Sequence, residues 1–279
     1  MAIHQMFLGL GAVIKKLYQE DLFSIYLWKG DNSNNRTITN GIDLSTEGGM
    51  VWIKQRSGSE AHKMYDTVRG ATKALQSSAN GSETTQSNGL KSFTTTGFTI
   101  GNDNTGNDNN EDYVAWSLRK APGFFDIVTW DGTGSTKNVP HNLGVTPGAI
   151  WIKRRNANEN WVCWHRDSEG TGSGDFMKLN SADNPGGGPA YFGTNPVITS
   201  TTFEVNSDNA INQGDMMAYV FAGGGVRRPF QSTNVYNVRF NGSSHKLFVE
   251  GSADFDFGTG DFTVEFWATV RDSYSNSPY

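Results

Sequence analysis

Cysteine is almost missing from this chain: Cys163 stands alone among 279 residues. One thiol forms no internal disulfide and builds no thiolate metal cluster, so the sequence neither requires nor excludes an oxidising compartment. Charge is also sparse. Asp, Glu, Lys and Arg make up 18% of the chain and the net charge is -5. That excludes a coiled coil and a solvated acidic tail, both of which need far more charge. With no surplus of Lys and Arg to neutralise phosphates, a nucleic-acid partner is not expected either. Long hydrophobic runs are lacking too. The apolar stretch near the start, residues 6–14, is too short to span a bilayer. Its basic pair, Lys15 and Lys16, follows the stretch, whereas an export signal puts charge first. Neither membrane insertion nor export is expected.

What the chain does have is turn residues and rings. Gly, Asn, Thr and Ser supply 108 positions, and aromatics reach 12%, with eight Trp and seventeen Phe. So many rings argue against disorder throughout, and short aromatic strands between Gly-rich turns point to an all-β fold. The length suits one large or two to three small domains.

The chain repeats itself. MVWIKQR at residues 50–56 returns as AIWIKRR at 149–155, and each follows a glycine, Gly49 and Gly148. Trp28-Lys29-Gly30 returns as Trp130-Asp131-Gly132, and Leu75-Gln76-Ser77 as Leu179-Asn180-Ser181. Thr96-Gly97-Phe98-Thr99-Ile100 matches Thr201-Thr202-Phe203-Glu204-Val205, and Asp112-Tyr113-Val114-Ala115-Trp116 matches Asp215-Met216-Met217-Ala218-Tyr219. The order is kept throughout, so residues 23–120 and 121–226 read as two copies of one module. Within each copy the side chains alternate. Val51 and Ile53 face one way and Trp52 and Lys54 the other, the period of a half-buried strand. The Asn/Asp/Gly tract at 101–112 reads as a hairpin loop from Phe98–Ile100 into residues 113–118. Short strands and Gly-rich turns over about 100 residues build a β-sandwich. Two such sandwiches in tandem are expected.

The ends differ from the middle. Residues 15–22 can form two helical turns, following the apolar run, and 1–22 reads as a separate N-terminal segment. After Gly223-Gly224-Gly225 and a linker, residues 227–279 show a third composition, with Phe262, Val264 and Phe266 alternating before Trp267. One or two hairpins bury no core unaided, so this piece is expected to dock on something or to be incomplete.

These features resemble a family found in structural proteins of marine bacteriophages, especially those infecting cyanobacteria. The likeness rests on the opening MAIHQMFLGLG, the G-x-x-W-I-K-x-R strands, His141-Asn142-Leu143-Gly144 with Pro147-Gly148, the run DTVRGATK at 66–73, and Asp112-Tyr113-Val114-Ala115-Trp116. Residues 240–267 look like the beginning of a laminin-G/concanavalin-like lectin domain, most of whose strands are missing. The resemblance implies a virion protein: a tail-fibre or tail-associated adhesin attached through its N-terminus, with a capsid decoration or head-fibre protein as the alternative. Other virion proteins and a host cell-surface glycan are the implied partners, and a homo-oligomer, as a trimer, is the implied assembly. A lectin or polysaccharide-active enzyme is the second alternative.

Chemistry is thin. Phosphate-loop, zincin and serine-hydrolase motifs are all missing, and nothing points to a cofactor. The Gly-rich run at 170–174 precedes no helix pattern and reads as a solvated loop. Cys163 and His165 share a strand face, which alone makes no nucleophile pair. The tract at 102–112 holds oxygen ligands but lacks the calcium-loop spacing, so it reads as a turn and no metal is assigned. Rings remain the functional signal, since Trp stacks on sugars and on partner proteins. Trp161, Trp164, Trp52 and Trp151 are the candidate ligand-binding residues, with burial in a core or interface as the plainer reading. Met6, Phe7, Leu8, Leu10, Val13 and Ile14 are the candidates for docking on the particle.

Overall fold

A computed structural model describes residues 17–167, 176–182, 186, 188, 190–193 and 197–223. The docking candidates of the N-terminal stretch, the Gly-rich run at 170–174 and the lectin-like segment lie outside the described residues.

The chain enters through a single helical turn, α1 (Gln19–Leu22), where two turns over 15–22 are expected. Leu17 and Tyr18 are not helical, and Phe23 is already extended at the C-cap. The reason is pairing: from Phe23 onward the backbone hydrogen-bonds along a neighbouring strand instead of to itself.

The first copy contains β1 (Phe23–Lys29), β2 (Arg36–Thr39), β3 (Gly49–Gln55), β4 (Lys63–Asp66), β5 (Lys73–Ala74), β6 (Thr84–Thr85), β7 (Leu90–Thr94) and β8 (Gly97–Ile100). A helical turn, α2 (Asn104–Asn107), then leads into β9 (Asp112–Arg119). A large antiparallel sheet has the order β1-β9-β3-β4, and a small one the order β2-β8-β7. Between them lies a core of Trp28, Ile38, Val51, Ile53, Phe98, Ile100, Tyr113 and Ala115, among others. The alternation in β3 does what period-2 patterning dictates: Val51 and Ile53 face this core, and Trp52 faces away.

The second copy repeats the plan. Its elements are β10 (Phe125–Thr133), β11 (Lys137–Pro140), β12 (Pro147–Arg154), β13 (Val162–His165), β14 (Met177–Lys178), β15 (Thr202–Val205), α3 (Asn209–Asn212) and β16 (Gln213–Ala222). The large sheet runs β10-β16-β12-β13-β14 and the small one β11-β15. Neighbour for neighbour, the first four strands of that large sheet retrace β1-β9-β3-β4. The fold is all-β, with helices of one turn only among the described residues.

Gly49 and Gly148 open the repeated W-I-K strands because the chain there is crowded. A Cβ on Gly49 would lie 2.2 Å from the Leu118 carbonyl oxygen, and one on Gly148 would lie 2.3 Å from Gly223 Cα. Only glycine permits that approach.

The tract at 101–112 is not a hairpin loop, contrary to expectation. β8 belongs to the small sheet and β9 to the middle of the large one, so the tract carries the chain from one sheet to the other. Its course is set by hydrogen bonds. Asp103 caps α2 by accepting from the Thr105 amide at 2.8 Å. The buried Asn107 amide then donates to Asp31 Oδ1 at 2.9 Å and to the Ser33 carbonyl at 3.0 Å, pinning the loop that follows β1. The second copy has the same device. Asp208 caps α3 through the Ala210 amide at 2.8 Å, and buried Asn212 donates to the carbonyls of Ser135 at 2.5 Å and Asn206 at 2.8 Å.

Candidate functional site

Both sandwiches lie within one compact unit, and their large sheets meet through the faces turned away from the cores. A third apolar cluster fills this junction. Met50, Met64 and Leu75 come from the first copy, and Phe125, Ile127, Trp161, Met217 and Tyr219 from the second. Strand register makes the two faces comparable. Across the first large sheet, Ile25, Trp116, Trp52 and Met64 stand in one row. Across the second, Ile127, Tyr219, Trp151 and Cys163 form the corresponding row. Equivalent residues touch: Trp52 meets Trp151 edge to face, with ring centroids 5.9 Å apart and planes at 90°. That is a favoured aromatic geometry.

A buried ionic network closes one side of the junction. The Arg69 side chain is fully buried. Its Nε donates to Asp66 Oδ2 at 2.5 Å, Nη2 donates to the Tyr219 hydroxyl at 3.2 Å and to the Met64 carbonyl at 3.0 Å, and Nη1 donates to Glu83 at 3.2 Å. Burial opposes the Arg69 charge, yet the Asp66 carboxylate, then Tyr219 and Glu83, outweigh it and hold the guanidinium charged more firmly than an ordinary arginine. Burial, and then Asp66, pushes the Tyr219 hydroxyl well above its ordinary range, so it stays a proton donor. Asp66 also accepts from the amides of Val68 and Arg69 at 3.0 and 2.9 Å. These contacts account for the run DTVRGATK as a joint between the copies.

A second joint is an ammonium in a cage. Lys153 is fully buried, and its Nζ donates to the carbonyls of Asn80 (3.1 Å), Arg154 (2.9 Å), Ala157 (3.4 Å) and Glu159 (2.8 Å). Asn80 belongs to the first copy, so one side chain ties a loop of each. Burial pulls Lys153 down to about 8, against the pull of Glu159.

The four Trp candidates fall into place around this junction. Trp161 is buried within it, stacked on Tyr219 at 6.0 Å, with its indole N–H donating to the Gln76 carbonyl at 2.8 Å. Trp164 is buried in the core of the second sandwich. Trp161 and Trp164 are 0% and 5% exposed, which is the arrangement of the plainer reading, burial in a core or interface. Trp52 and Trp151 are half-buried against one another, and Trp52 donates to His62 Nδ1 at 3.0 Å. Three of the four rings thus meet in the junction, and Trp164 stands apart. Burial pushes the Cys163 thiol up to about 12, away from the thiolate form that a nucleophile needs. Among the described residues no group of three or more His, Cys, Asp or Glu is placed to hold a metal, and no helix is long and apolar enough to cross a membrane.

Sequence reasoning missed Asp66, Arg69, Tyr219, Lys153, Asn107 and Asn212. The signals were present only in part. Asp66 and Arg69 sit inside a run noted as distinctive, and Asp-Asn-x-x-Asn recurs at 103–107 and 208–212.

Two antiparallel sandwiches of one topology, fused through their large sheets, define the class: a tandem β-sandwich pair. The chain belongs to a family described as a domain of unknown function (DUF7483), whose profile matches residues 19–249 in a single span. That span treats both copies as one domain. No curated protein and no solved structure matches the chain.

Proposed function

We propose that this chain is a non-enzymatic structural protein of a bacteriophage particle, a tail-fibre or tail-associated adhesin attached through its N-terminal segment. The likeness of its ordered motifs to marine phage structural proteins motivates the reading. The observation that supports it best is the use to which the rings are put. Trp52, Trp151, Trp161 and Tyr219 join two sandwiches face to face instead of lining an open cleft. A seam of rings, a buried arginine network and a caged lysine make a stiff spacer, which suits a particle appendage better than a sugar-cleaving enzyme. Host-surface recognition falls, in this reading, to the lectin-like segment beyond residue 226.

The test is mass spectrometry of purified particles with immunogold labelling. Gold on tails supports the reading, gold on heads selects the decoration alternative, and absence from particles overturns both. Deleting residues 1–22 should abolish incorporation. Reducing sugar released from host polysaccharide by the pure protein would sink the non-enzymatic part.

A further inference from the structure

The two large sheets share one row of outward positions, but they are not equally covered. In the second copy the row is covered from β10 through β13, with Ile127 at its β10 end 3% exposed and Trp151 half-buried. In the first copy, cover begins at Met64 and Trp52 and runs out toward the other edge. Ile25, the counterpart of Ile127, is 58% exposed, and Leu27 beside it is 56% exposed. Both lie on β1, which is the edge strand of its sheet. Trp116, next to Ile25 in the register, is half-buried and packs on Trp52 at 5.5 Å. The open patch is therefore continuous with the junction already formed inside the chain.

The residue types sharpen the contrast. At the position matching Leu27 the second copy carries Thr129, which is also exposed. Where the module leaves this face to water it uses threonine, and on β1 it uses leucine. Lys29, two residues beyond Leu27 on the same face, is drawn to Asp112 at 3.7 Å at the end of the strand, so Ile25 and Leu27 form an apolar pair on an edge strand of the kind monomers avoid. The occupant such a face fits is another module of the same kind, as Ile127 demonstrates within the chain.

We infer that the outer face of β1, centred on Ile25 and Leu27 and bordered by Trp116, is the contact through which a second copy of this chain packs. Identical subunits cover an apolar patch by closed symmetry, so the contact belongs to a defined oligomer. This rests on the homo-oligomeric expectation attached to the functional reading, but not on where the protein sits in a particle.

Sedimentation velocity of the full chain from one to a hundred micromolar is the test. The wild type should sediment as an oligomer. Ile25→Glu and Leu27→Glu should each raise the dissociation constant by at least about tenfold, as charge does at the centre of a contact. Val145→Glu, at an exposed apolar position of the second copy, should change nothing. Ile25→Thr, which keeps the β-branch, should weaken association less than Ile25→Glu, and unchanged near-ultraviolet dichroism and urea midpoints exclude misfolding. A wild type that is monomeric throughout overturns the inference. An oligomer indifferent to Ile25→Glu and Leu27→Glu also overturns it, while leaving the oligomer and the virion reading standing. Absence from purified particles would remove the virion reading without touching this contact.

Discussion

The Tyr219 hydroxyl donates to Asp66 Oδ2 at 2.9 Å across a separation of 153 residues, and Arg69 holds the same carboxylate oxygen from the other side. One buried oxygen thus serves both copies. Removing the hydroxyl in Tyr219→Phe leaves Asp66 and Arg69 paired with each other, so the expected cost is about 1–3 kcal/mol. Asp66→Ala leaves the guanidinium buried without its main counter-charge, and the expected cost is about 3–5 kcal/mol. Urea unfolding measures both. Because the side chains share one network, the double variant should cost less than the sum of the two single changes. Strict additivity would show that Tyr219 and Asp66 do not act together.

The caged ammonium gives a pH signature. Lys153 is brought down to about 8 from an ordinary 10.5. Between those values the unfolded chain binds the proton that the folded chain has released, so stability rises with pH across that window. Below about 8 the burial penalty is present in full. Lys153→Met abolishes the titration, so the stability of the wild type relative to this variant should climb from pH 8 to 10. A flat difference would show that the carbonyl cage holds the charge against burial. Lys63 is also lowered by burial, but it is common to both proteins and cancels.

Much of the fold was legible because strand periodicity and repetition are local signals. Val51 and Ile53 opposite Trp52 fixed the two faces of β3, and the recurring W-I-K strand announced two copies. What alternation cannot show is what covers a face. Trp52 and Trp151 sit on the more polar side of their strands by residue count, yet that side is the seam between the sandwiches. The tract at 101–112 has turn composition in either a hairpin or a crossover. Deciding between them needs Asn107, whose partners Asp31 and Ser33 lie more than 70 residues upstream. A separation twice as long, 153 residues, hides Tyr219 from Asp66.

The paired asparagines allow a comparison within one molecule. Asn107 and Asn212 are both buried, and each donates to the loop that follows the first strand of its copy, Asn212 also to the Asn206 carbonyl. Replacing either with Ala strands buried partners, at an expected cost of about 1–3 kcal/mol. Asn107→Ala frees the Asp31 carboxylate as well, which hydrogen bonds from Ser33 and then Asn107 help hold down at about 2. That carboxylate is half-exposed and keeps its Ser33 bonds, so the two substitutions should cost similar amounts. Urea midpoints for the two variants decide it. A neutral Asn212→Ala would show that α3 is held by its Asp208 cap alone.

Cys163 supplies a chemical probe of the seam. Its thiol is buried on β13, opposite Trp151 in the strand register, and burial pushes it up to about 12, so almost no thiolate exists at neutral pH. The thiolate is the reacting form, and a disulfide reagent must also reach it. Labelling of the native protein should therefore be slow and limited by opening of the seam, with a rate that stops rising as reagent concentration increases. At low reagent, where the rate follows the opening equilibrium, substitutions that loosen the seam, Tyr219→Phe among them, should speed labelling. Rapid second-order labelling of the folded wild type would contradict the placement of Cys163 and reopen its pairing with His165 as a nucleophile.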